Sequence, residues 1–286
     1  MNWFILSLIS AIAISLREFC AKKLGQDFPT LVISFSFSLF AFFIFLCVSL
    51  LTRTFYPITP DFARVILTAS IMDTVANLLY ISAIKNGDLS KTVPMLCFIP
   101  VIQLFVTPVL IDENLSFTGM LGVMVVVFGS YLLHIKTKDG IFSPFKAVFS
   151  DRNAVMMLAA ACIWGVSSSF HKMGIHKTDV LFWVVCEYGL ISLFLFPFAY
   201  RAGKAKVNLK NVKKLIVPAL FSSCAALSYF AGISLGAVAY VSSLRRLGVL
   251  FSMVLGIMFF KEAFKAWGFA GGLIMIAGAV IISLFG

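Results

Sequence analysis

Apolar residues run through this chain in long stretches, near residues 3–22, 29–52, 62–84, 92–111, 115–135, 153–173, 178–200, 215–235, 238–260 and 264–285, with short polar connections between them. Each is close to the roughly 20 residues that a helix needs to cross the hydrocarbon of a bilayer. None keeps a period-two alternation, and each is about twice as long as a barrel strand, so the pattern predicts helices that satisfy their own backbone polar groups. The expected fold class is an all-α membrane protein with ten transmembrane helices. The opening stretch has the apolar character of a signal peptide. It continues to Cys20 and has a full-length counterpart at the start of the second half, so it reads as a span.

Composition removes the soluble alternative. Of 286 residues 61% are hydrophobic and only 12% are charged, against about 25% charged in ordinary domains. Ten spans nearly exhaust the chain and leave no room for an appended catalytic domain.

The net charge of +11 would suit a nucleic-acid partner if the basic residues formed one patch. They do not. Sixteen of the 23 lie in the connections after the first, third, fifth, seventh and ninth spans, four on the opposite side (Arg53, Arg64, Lys172, Lys177) and three inside spans (Arg17, Arg245, Arg246). That is the Lys/Arg bias of a polytopic protein whose cytoplasmic side faces anionic lipid, and it excludes a nucleic-acid function. Taken alone it places both termini outside and the connection Arg201–Lys214 in the cytoplasm, a prediction checked by whether a cysteine in that connection resists labelling from outside intact cells. The six cysteines fall within or at the edge of spans, without Cys-x-x-Cys spacing or paired histidines, and read as small packing residues rather than a metal site or disulfide frame. His134, His171 and His176 sit singly near span ends, and no cofactor is expected.

Self-similarity carries the most information. A gap-free offset of 149 residues aligns the first five spans with the last five. Lys23 and Gly25 meet Lys172 and Gly174, Tyr80, Ile84 and Gly87 meet Tyr229, Ile233 and Gly236, and Glu113, Gly119, Gly122 and Gly129 meet Glu262, Gly268, Gly271 and Gly278. An odd number of spans per repeat makes the second enter the membrane from the other side, giving two inverted five-helix repeats, an arrangement found in transporters. The expected units are residues 1–136, a linker 137–152 and residues 153–286. Gly119, Gly122 and Gly129 share one helix face and predict close packing. Glu113 and Glu262, at span boundaries, are expected to cap the next helix.

With these residues in view the chain resembles the drug/metabolite transporter superfamily, specifically the ten-helix EamA-type proteins of two five-helix repeats. The marks are Glu113 and Glu262 ahead of glycine-spaced helices and Trp164-Gly165 in the sixth span; the first repeat departs, with Ser15-Leu16 followed by Arg17-Glu18. The resemblance implies secondary transport, largely export of metabolites and amino acids, with substrate held between the halves. It also implies cytoplasmic termini, opposite to the charge count.

An ionisable residue inside a span costs at least about 2.5 kcal/mol, which makes each a site candidate. Glu18 continues a small and polar stripe of Ser7, Ala11 and Ser15, or else pairs with Arg17 or Lys22 at the membrane edge. Ser70, Asp73, Asn77 and Tyr80 form a stripe on the third span, and only the tyrosine recurs in the other repeat, as Tyr229. Glu187 lies mid-span with Trp183 one turn before it. Arg245 and Arg246 lie in the ninth span with no acid nearby in sequence, so they are expected to pair with Asp73, Glu187 or Glu18 from other helices, or to meet an anionic substrate. Pro94, Pro100 and Pro108 predict a kink in the fourth span, and its counterpart has none. Glu18, Asp73, Asn77, Tyr80, Glu187, Tyr229, Arg245 and Arg246 are therefore the expected substrate-binding residues. They point to alternating-access transport, by an exporter or exchanger, of a small polar or zwitterionic metabolite such as an amino acid, driven by a proton or a counter-substrate, in the plasma membrane of a prokaryotic cell. The alternatives are an exchanger of phosphorylated or nucleotide-linked sugars, and a membrane enzyme or flippase acting on a lipid-linked substrate.

Overall fold

A computed structural model describes residues 2–24, 28–86, 92–134, 150–203, 213–260 and 266–286. The linker, most of the Arg201–Lys214 connection and Glu262 lie outside these. The helices are α1 (Asn2–Leu24), α2 (Thr30–Thr52), α3 (Pro60–Asn86), α4 (Phe98–Ile111, entered through a 3-10 segment Val93–Cys97), α5 (Phe117–His134), α6 (Arg152–Lys177), α7 (Val180–Gly203), α8 (Ile216–Leu235), α9 (Val238–Arg245), α10 (Gly248–Phe260) and α11 (Ala266–Phe285). Eight helical segments, with α9 and the start of α10 counted as one, are long and apolar enough to span a membrane; two shorter apolar helices, Phe117–Leu133 and Phe269–Phe285, complete the ten. Outward-facing Phe105, Val109, Leu193 and Leu273 are exposed, which bilayer hydrocarbon accommodates without cost.

The packing carries the twofold relation of the sequence. The most extensive pairings are α5 with α11, α2 with α7, and the equivalent pairs α3 with α6 and α1 with α8. Every pair joins one half to the other, so the two halves are interlocked rather than side by side. The repeated glycines explain α5 and α11. A Cβ on Gly129 would lie 2.6 Å from the Gly271 carbonyl oxygen, and one on Gly278 would lie 2.8 Å from that of Gly122, so the backbones touch where the sequence places glycine in both repeats. Gly129→Leu is therefore expected to lower the thermal unfolding midpoint in detergent, at a cost of about 1–3 kcal/mol for overpacking; an unchanged midpoint would show that the close approach is dispensable.

Where the first repeat departs from Trp-Gly, the glycine has moved to the partner helix. A Cβ on Gly165 of α6 would strike Ile102 of α4 at 2.6 Å; at the equivalent crossing of α1 it is Gly248 whose Cβ would meet the Ala11 carbonyl at 2.8 Å. Ser15 Oγ then donates to the Gly248 carbonyl at 2.6 Å. One small residue per crossing is enough, and either helix supplies it.

The kink expected only in the proline-bearing fourth span occurs in both repeats. The 3-10 segment ends at Cys97, whose repeat partner is Arg246, and there the ninth span breaks: Arg246 and Leu247 lie in a turn, and the amides of 246, 247, 249 and 250 bond three residues back. Proline is not the cause in the second repeat. The break falls at the two arginines and at Gly248, where the backbone leaves the helix beside α1.

Candidate functional site

Between the halves lies a cavity of about 320 Å³, lined by α1, α2, α3, α4, α6, α7, α8, α9 and α10. Seven of the eight residues expected from the sequence line it: Glu18, Asp73, Asn77, Tyr80, Tyr229, Arg245 and Arg246. Glu187 does not. It lies behind the wall, 0% exposed, where Ser70 Oγ donates to its Oε2 at 3.0 Å.

Helix geometry places each group. The 3, 4, 3 spacing on α3 turns Ser70 toward α7 and Asp73, Asn77 and Tyr80 into the cavity. Asn77 returns its amide to the Asp73 carbonyl at 2.9 Å, and the Tyr80 ring packs against Trp164, tilted by 57°, with ring centroids 5.5 Å apart. The matching Tyr229 has a different partner: the Arg245 guanidinium lies over its ring at 4.6 Å, while its hydroxyl bonds Ser242 at 3.1 Å. The halves thus present the same phenol to different chemistry.

The acidic partners expected for Arg245 and Arg246 are absent among the described residues. Each acid is engaged elsewhere. Glu18, 50% exposed, meets Arg17 at 3.4 Å and Ser252 at 3.3 Å. Asp73 Oδ2 lies 3.2 Å from His171 Nε2, and Asp73 Oδ1 accepts from Ser167 at 2.7 Å. Arg245 Nε is buried without a partner. A guanidinium in this setting keeps its charge, so the arginines present positive charge to the cavity.

His171 was not singled out by the sequence because it looked like a lone histidine near a span end. Helix α6 runs on to Lys177, which leaves His171 inside the bundle between Trp183 and Phe230, at centroid distances of 5.7 and 5.0 Å. The repeat gives no hint either: Asp73, His171 and Glu187 correspond to Ser222, Lys22 and Ser38 in the 149-residue register.

Below the cavity, on the side away from the basic connections, the halves are latched. Lys172 Nζ donates to Glu113 Oε1 at 2.7 Å and to the Gly236 carbonyl at 2.8 Å, and the Val238 amide donates to the Glu113 carboxylate at 3.1 Å. Glu113 does cap a helix, as expected, but it is α9 of the other half; Ser116 caps its own next helix, accepting from the Gly119 amide at 3.0 Å. A separate recess lies at this latch, lined by Leu110, Glu113, Lys172 and His176. Arg17 and Glu18, which line the central cavity near the C-terminal end of α1, are 27% and 50% exposed.

Long apolar helices in two interlocked inverted halves, enclosing a cavity with intramembrane charge, define an integral multi-pass membrane protein of transporter architecture. The sequence model of the EamA-like transporter family matches residues 1–135 and 152–284, and the chain belongs to that family. No curated protein matches the sequence. One solved crystal structure is similar over 99% of this chain and 96% of its own, with a TM-score of 0.78 at 15% identity, a likeness that shows the fold alone.

Proposed function

We propose that the chain is a secondary transporter that moves a small metabolite bearing an anionic group, an amino acid or similar zwitterion, through alternating exposure of the cavity between its halves. The observation that carries this reading is the pair Arg245 and Arg246 lining the cavity with, among the described residues, no acid bonded to either. A substrate carboxylate supplies the missing negative charge. Glu18 would receive an ammonium group, and Tyr80 and Tyr229 would pack against the body of the substrate. A phosphorylated sugar would also suit the arginines. The volume of about 320 Å³ is at the small end of ligand pockets, which favours an amino acid over a nucleotide-linked sugar.

The decisive measurement is counterflow in proteoliposomes of plasma-membrane-like lipid, with amino acids and sugar phosphates as the two arms. A pH gradient, or preloaded counter-substrate, then identifies the driving force. Amino-acid flux that vanishes in Arg245→Met is the expected result. Flux of neither class, or flux indifferent to Arg245 and Arg246, would end this reading.

A further inference from the structure

Three helices from both halves bring Asp73 of α3, His171 of α6 and Glu187 of α7 together, with one potential ligand atom from each lying within 4.8 Å of the others. We propose that this cluster is a binding site for a zinc-class divalent metal ion, set in the cavity wall and separate from the arginine pair.

The donor set fits that class of ion. Two carboxylates and a neutral imidazole supply two negative charges, which cancel those of the metal, and mixed His/carboxylate ligation with three protein ligands is a common form of open zinc site. The spacing fits as well. Ligand atoms of a tetrahedral ion at bonds of about 2.0–2.2 Å stand about 3.3 Å apart, and Asp73 Oδ2 and His171 Nε2 are 3.2 Å apart. The ligand atoms all lie within 4.8 Å of one another, so a shift of the Glu187 carboxylate by up to about 1.5 Å closes the two remaining edges.

A second observation, independent of the clustering, points to a missing ligand. Among the described residues Glu187 Oε1, buried in a side chain that is 0% exposed, has no hydrogen-bond partner. A buried carboxylate oxygen with nothing to accept from is unfavourable. The tethering of the other oxygens shows why this one stays open. Ser70 holds Glu187 Oε2 and Ser167 holds Asp73 Oδ1, so each carboxylate has one oxygen fixed by a hydroxyl and a second that no hydroxyl holds among the described residues. This is how outer hydrogen bonds orient ligands around a metal. Trp183 and Phe230 pack on the imidazole and keep the surroundings apolar. Asp73 and His171 both line the cavity, the former 13% exposed, so a remaining coordination position would face the cavity and take water or a substrate oxygen.

Without metal, the contact between His171 Nε2 and Asp73 Oδ2 is an N–H donating to a carboxylate. Metal binding replaces that hydrogen bond with two coordinate bonds, and the single proton of the neutral imidazole moves from Nε2 to Nδ1.

The test uses the full chain in detergent, stripped with a chelator and titrated with Zn²⁺ by calorimetry. Saturable binding of a single ion is expected, and with it a rise in the thermal midpoint. Binding should fall about ten- to a hundredfold in Ser167→Ala, which disturbs only orientation, and further in His171→Gln and Glu187→Gln. His176→Gln, at an exposed position, controls for adventitious surface binding. Zn²⁺ binding that is absent, that survives in the His171→Gln/Glu187→Gln protein, or that disappears with His176→Gln would overturn the proposal. The thermal midpoints of the variants without metal show whether each is folded. Failure here leaves the arginine-based transport reading intact, because counterflow in chelator-treated liposomes tests that separately.

Discussion

Replacing Arg245 by methionine is expected to raise the stability of the ligand-free protein while removing its affinity for anionic substrates. The two effects share one cause. A charge in the bundle interior carries a desolvation penalty of several kcal/mol, of which the contact with the Tyr229 ring returns about 2 kcal/mol. No ion pair offsets the difference among the described residues. Methionine removes the penalty and fills much of the same volume. A carboxylate ligand, by contrast, loses a charge-assisted contact of about 1.5–3 kcal/mol, about ten- to a hundredfold in affinity. Thermal unfolding in detergent, with and without the amino acid or sugar phosphate that shows flux, reads both. Had Arg245 been paired with Asp73 or Glu187 as the sequence suggested, the same substitution would cost about 3–5 kcal/mol, because it would strand a buried acid. A fall in the unliganded midpoint would therefore reveal a hidden partner.

The second large effect is expected at the latch. Lys172→Met leaves Glu113 with the Val238 amide alone and frees the Gly236 carbonyl, so the bonds that seal the face away from the basic connections are weakened. Charge-assisted hydrogen bonds of this kind contribute about 1.5–3 kcal/mol, which is about a ten- to hundredfold shift between closed and open populations on that face. With the six native cysteines replaced, a cysteine in place of Ser222 in the cavity wall should react faster from that face by the same factor. Glu113→Gln should do likewise, more weakly, since the amide keeps one acceptor for the Val238 N–H. Unchanged labelling in both variants would show that the pair holds the fold and not the access state.

Sequence by itself determined the membrane class, the helical spans, the inverted repeat and seven of the polar residues that line the cavity. Those properties are written in hydropathy, in a fixed register and in spacings along one helix, all of which survive without knowledge of how helices are rotated or how deep each sits. The glycines of α5 and α11 belong here too, since the same positions in both repeats had to meet a neighbour. Tertiary structure decided which charges meet. Arg245 and Arg246 called for acids, but Glu18 turned to Arg17 and Asp73 to His171, because partners on different helices are chosen by rotation and depth, about which residue spacing is silent. His171 was hidden for the same reason: it became an interior residue only once α6 was seen to extend to Lys177. Glu113 carried a legible role as a cap, yet the helix it caps lies in the other half, and only the interlocking of the two repeats put the Val238 amide and Lys172 within its reach.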